Sequence, residues 1–125
     1  MAHHATAAGF VIADLSFTIA HTHAWPAIHA MLQEILDRET KKYSDQAQKQ
    51  QRRRTSIYYG SWEAIEPTVH ATLSGVGIMV SLVFLAPLGQ RKEVQTRVSE
   101  AILARLTDAY EITTKENAMI LHPRR

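Results

Sequence analysis

Between Pro67 and Gln90 the chain runs for 24 residues without a single charged side chain, and an amphipathic run, RKEVQTRVSEAILARL, follows at once. About 20 apolar residues suffice to cross a bilayer, so the stretch first has to be tested as a membrane span. His70, Thr68, Thr72, Ser74, Gly75, Gly77 and Ser81 interrupt it and Pro87 closes it. The apolar part, Ile78 to Leu88 with Ser81 inside it, is too short to span. Its Val and Ile content, bounded by glycine and proline, instead predicts a strand buried on both faces that feeds a helix.

A chain of 125 residues fits one domain, 1–125, with a core large enough to need no metal or disulfide. It has no cysteine, which removes thiolate nucleophiles and zinc-thiolate sites and suits a reducing, cytoplasmic setting. The N-terminal residues show no charged leader followed by an apolar run and a cleavage site, so no secretory signal is expected.

The formal net charge of +2 hides an asymmetry. Lys41 to Arg54, KKYSDQAQKQQRRR, holds six basic residues and one acid, or +5, which leaves −3 for the rest. Such a segment suits anionic ligands or phosphates. No aromatic RNP-type run and no glycine-rich phosphate loop accompanies it, so the expectation is a solvated helix end, with nucleic-acid binding through charge alone as the weaker alternative.

Phe10 to Ile19 alternates, with Val11, Ala13, Leu15, Phe17 and Ile19 on one side and Asp14, Ser16 and Thr18 on the other, which predicts a half-buried strand. Trp25-Pro26 then opens a helix, because proline is tolerated in a first turn where its missing N–H has no partner. Ile28, Met31, Leu32, Ile35 and Leu36 form its apolar stripe. The helix is expected to reach about Lys42, with nothing in the Gln-rich segment opposing a continuation.

Thr55 to Tyr59 is a short β-prone run and Trp62 to Pro67 a connection. Thr68 to Leu73 and Val76 to Ala86 read either as two strands joined at Ser74-Gly75 or as one strand with a glycine bulge. From Arg91 to Tyr110 the stripe Val94, Val98, Ala101, Ile102, Leu106 and Ala109 predicts a second helix, and Ala118 to Leu121 a last strand. The expected architecture is therefore α/β, a two-layer sandwich of a mixed sheet and two main helices in which a β-α-β outline occurs twice. A two-layer fold leaves one sheet face open. Because Val76 to Ala86 is apolar on both sides, a homo-oligomer is expected to cover it.

The residues IMVSLVFLAPLGQRKEVQTRVSEAILARL and EITTKENAMILHP resemble the tautomerase superfamily. The opening Met1-Ala2-His3 and the helix start WPAIHAMLQEIL are similar to its 5-carboxymethyl-2-hydroxymuconate isomerase branch. The resemblance implies a trimer and keto-enol isomerisation of a small enol or keto acid, without cofactor. It implies an N-terminal proline whose amine shuttles a proton, with its pKa lowered by an apolar site and nearby cations. By position the amine would be that of Ala2, with Arg53 or Arg54 binding the substrate carboxylate and Tyr58 or Tyr59 lining the site. Position 2 is alanine, so the chain departs from the family at the catalytic residue, and a non-catalytic oligomeric assembly subunit is the alternative reading.

His21, His23 and His29 invite comparison with a three-histidine metal site, but their spacing encodes no ligand geometry and no metal is expected. No serine sits in a nucleophile elbow. Trp25, Tyr43, Tyr58, Tyr59 and Trp62 are read as core and interface aromatics.

Overall fold

A computed structural model describes residues 5–7, 9–54 and 65–124, with side chains for 9–50 and 65–124. The chain is α/β, with a mixed sheet packed on two helices in two layers. In chain order the elements are β1 (Ala5–Ala7), β2 (Phe10–Ile19), α1 (Trp25–Arg54), β3 (Thr68–Leu73), β4 (Ile78–Pro87), α2 (Arg91–Ala109), β5 (Tyr110–Lys115) and β6 (Ala118–Pro123). Sheet order is β3-β4-β2-β6-β5, with β1 alongside the start of β2.

Thr22 prepares the first helix. Its hydroxyl accepts the Ala24 N–H at 3.1 Å and its carbonyl accepts the Trp25 N–H at 3.3 Å, an ST-type turn that sets the chain entering α1. The stripe Ile28, Leu32, Ile35 and Leu36 is buried. Tyr43 and Ala47 continue it, so the helix runs 30 residues and the basic segment from Lys41 lies on it throughout. In α2 the buried residues Val94, Val98, Ile102 and Leu106 follow one another at i+4, while Ala109 is exposed where the helix ends.

Thr68–Leu73 and Ile78–Pro87 are two strands and not one, because Ser74 and Gly77 exchange backbone hydrogen bonds and close a hairpin between them. Gly77 has φ +154 and lies so close to β2 that a Cβ would stand 2.2 Å from the Ile19 carbonyl oxygen. At the other end of β4, Gly89, with φ +84, turns the chain into α2. The C-terminal region is a hairpin where a single strand was expected. Glu116 and Asn117 both take positive φ, the backbone of a two-residue turn that matches strand twist, and β5 pairs with β6 across it.

β2 runs antiparallel to β4 over its whole length, from Phe10 opposite Pro87 to Ile19 opposite Ile78, and parallel to β6 at Ile19 opposite Met119. Both helical crossovers return to a strand that is not the neighbour of the one they left. α1 carries the chain from β2 to β3 past β4, and α2 carries it from β4 to the β5–β6 hairpin past β2, which gives a split β-α-β arrangement twice. Ala13, Val80, Leu82 and Phe84 point from the sheet into the helices and are buried with them.

Candidate functional site

Of the residues singled out in the sequence, Ala2, Tyr58, Tyr59 and Trp62 lie outside the described residues, as does the β-prone run Thr55 to Tyr59. Arg53 and Arg54 close α1, and their side chains lie outside the described set. Among the described residues, surfaces open to a partner or ligand include the uncovered sheet face, the outer edge of β3 and a cavity beside β2.

The uncovered face is ordered in rows fixed by strand register. Asp14, Val83 and Thr68 form one row, Ser16, Ser81 and His70 the next, and Thr18, Met79 and Thr72 a third. Its character changes along the strands. Phe10 and Leu85 are buried at one end, whereas Met79 is 51 % exposed at the other. The second face of β4 is therefore apolar as expected, and its open part lies next to the β3–β4 turn. There Val76, 43 % exposed in the turn, adjoins Met79, while Leu73, 77 % exposed, stands opposite Ile78 and so on the other face of the sheet.

The outer edge of β3 is partly occupied by α1. Gln33 accepts the Val69 N–H on Oε1 at 3.2 Å and donates Nε2 to the Pro67 carbonyl at 2.9 Å. One side-chain amide thus satisfies two groups that an adjacent strand would otherwise engage.

β2 and β6 meet only near Ile19, where the Ala20 N–H donates to the Met119 carbonyl at 2.8 Å, and diverge from there. A cavity of about 210 Å³ fills the wedge between them and α2, walled by Leu15, Phe17, Ile102, Leu103, Leu106 and Met119. Among the described residues, no acid, base or histidine lines it. Ser16 and Ser99 complete the lining, so the cavity suits an apolar group and offers serine hydroxyls but no titratable side chain for acid–base catalysis.

Charged contacts cluster along α1. Lys41 pairs with Glu66 and lies 3.8 Å from Asp45. The hydrogen bond it donates to Glu66 is the main reason its ammonium is held above the ordinary lysine value, with desolvation opposing and the neighbouring carboxylates adding to the rise. Arg97 of α2 donates to the Tyr43 hydroxyl at 2.8 Å and to Glu39 at 3.0 Å. Those bonds, Tyr43 first, raise its pKa further against partial desolvation. This cluster ties the two helices together, and its cations already have partners. His21 and His23 are exposed ahead of α1, and His29 stands edge-on to Trp25 with ring centroids 5.6 Å apart. Among the described residues, no group of three His, Asp or Glu side chains is placed to hold a metal ion.

No described helix is long and apolar enough to cross a membrane. Comparison of the chain with known protein families, with curated proteins and with solved structures gave no match.

The glutamine contacts and the exposed corner were missed in the sequence. The absence of charge through β3 and β4 was the available signal for the corner, whereas nothing local marks Gln33 as an edge-capping residue.

Proposed function

We propose that this chain is a self-associating α/β domain, a subunit of a homo-oligomeric assembly. The observation that carries the reading is the β3–β4 hairpin, which bears no charge and exposes Leu73 on one face of the sheet, Met79 on the other and Val76 in the turn between them. Apolar side chains exposed together on one uncharged hairpin suit an interaction surface, and an uncharged surface can meet its own copy without repulsion. Multi-angle light scattering over a hundredfold dilution series tests it. Species larger than the 14.1 kDa chain at the upper concentrations are expected, and a monomer throughout overturns it.

A second reading, keto-enol isomerisation of a small enol or keto acid, is supported by the doubled split β-α-β outline together with the resemblance to tautomerases. In that reading the assembly is a trimer, the amine of Ala2 is the base, Arg53 or Arg54 binds the carboxylate and Tyr58 walls the site. Phenylpyruvate and 2-hydroxymuconate ketonisation by the native protein and by Arg54→Ala is the test. A rate above buffer that falls in the variant is expected, and no rate above buffer ends it.

A further inference from the structure

Strand alternation fixes which backbone groups of β3 face outward. Ser74 donates to the Gly77 carbonyl at 2.8 Å and Gly77 to the Ser74 carbonyl at 3.4 Å, so these two form a hydrogen-bonded pair. Counting back along an antiparallel ladder, bonded and non-bonded pairs alternate. Thr72, His70 and Thr68 therefore bond to β4, while Leu73, Ala71 and Val69 aim their N–H and C=O groups away from it. The Val69 N–H does point outward, onto Gln33, which checks the assignment independently.

Gln33 occupies this edge only at Pro67 and Val69. At Ala71 and Leu73 two N–H and two C=O groups remain without a protein partner among the described residues, on residues that are themselves exposed. Natural edge strands are commonly blunted by charge, proline or a covering element. Here β3 carries no charge and no proline, whereas the opposite edge, β5, carries Glu111 and Lys115.

We propose that β3 pairs with β3 of a second copy, antiparallel about a twofold axis, with Ala71 of each copy opposite Leu73 of the other. This rests on the self-association reading and names the surface. The four groups without a partner among the described residues of each copy then bond to the four on the other. Thr72 faces the partner's Thr72 at the axis, and because Thr72 also lies opposite Met79, a row of Met79, Thr72, the partner's Thr72 and the partner's Met79 runs across the joined open face. The highly exposed Leu73 gains the partner's Ala71 as its cross-strand neighbour, contact of the kind that stabilises sheets.

The register follows from Gln33. Pairing Ala71 with the partner's Ala71 would set Val69 against the partner's Leu73 and require the glutamine to withdraw in both copies. The shifted register stops where the glutamine begins. A second copy is favoured over an unrelated peptide because the edge offers only two residues without a partner among the described residues, and the twofold pairs the exposed Leu73 of both copies at once. It also closes the assembly, whereas a β3-to-β5 contact would propagate as a filament. Contact through one short strand buries less than the roughly 1,200 Å² of a stable interface, so dimerisation is concentration-dependent.

Sedimentation velocity across a concentration series, with native protein, Ala71→Pro and Leu73→Arg, tests the pairing. Ala71→Pro removes an outward N–H and none of the ladder to β4, and Leu73→Arg changes only an exposed side chain, so the two variants fail for different reasons if either misfolds. An even-numbered native species, weakened at least tenfold in both variants that keep the native circular dichroism, is the expected result. A native monomer throughout overturns both this pairing and the self-association reading. Native-like association, or a trimer, in both variants overturns the pairing alone. Hydrogen exchange adds a further check, since Ala71 and Leu73 amides protected equally at every concentration would mean that the chain covers its own edge.

Discussion

Gln95 of α2 donates its side-chain amide to the backbone carbonyl of Asp14 over 2.7 Å. β1 lies beside the start of β2 and β6 beside its end, and Asp14 falls in the gap between them. Gln33 does the same on β3. Each helix thus lends one glutamine to a strand edge that lacks a neighbour.

Removing these amides has unequal effects. Gln95→Met frees one exposed carbonyl and is expected to cost about 0.5–1 kcal/mol, while Gln33→Met frees a donor and an acceptor and costs about 1–2 kcal/mol. Urea midpoints with unchanged m-values check the order.

The glycines at the two ends of β4 separate clash from conformational cost. Gly77→Ala would drive a methyl against the Ile19 carbonyl and is expected to destabilise by about 3 kcal/mol or more. Gly89→Ala meets no atom within 4 Å, so only its left-handed backbone remains, at about 1 kcal/mol. Thermal unfolding of the two variants gives the comparison.

Strand positions on opposite faces of β4 should differ as sharply. Phe84 is fully buried against the helices, and Phe84→Ala is expected to lose about 3–5 kcal/mol. Met79→Ala, on the exposed corner, stays within about 0.5 kcal/mol in dilute solution. Chemical denaturation at low protein concentration measures both.

The Lys41–Glu66 pair is half exposed on both sides, 47 % and 45 %, so solvent screening keeps its contribution to about 0.5 kcal/mol. Folding raises the lysine pKa above its ordinary 10.5. The contribution is therefore complete below that value and disappears as pH rises through the higher folded pKa. Native protein and Lys41→Met should differ in stability at pH 8 and converge as pH rises through the folded lysine value, above the ordinary 10.5, as read from urea midpoints at each pH.

Much of the fold is legible where burial imposes a period. Phe10 to Ile19, the α1 stripe from Ile28 to Leu36 and the α2 stripe from Val94 to Leu106 all follow from spacing. The extent of α1 was open because Tyr43 and Ala47, which continue its buried stripe, sit among charged and amide residues that mask the period. β5 was missed for a different reason. Tyr110 and Ile112 alternate inward, yet Glu111, Lys115 and Glu116 give the segment the polarity of a loop, and the Glu116-Asn117 turn lacks glycine. The glutamine contacts were out of reach altogether, since they depend on which backbone groups the completed sheet leaves over. Of the candidate surface, the sequence marks the uncharged hairpin and not which residues on its edge, Ala71 and Leu73, aim their backbone groups outward.

Because both crossovers skip a strand, β2 is an early element in the chain and its long partner a late one. Ile19 meets Ile78 and Phe10 meets Pro87, so every rung of that ladder closes a loop of many tens of residues. The β3–β4 hairpin can form as soon as it is synthesised, whereas β2 must wait for it. Contacts this distant slow folding, and they leave the central strand as the element that a growing polypeptide must shelter longest.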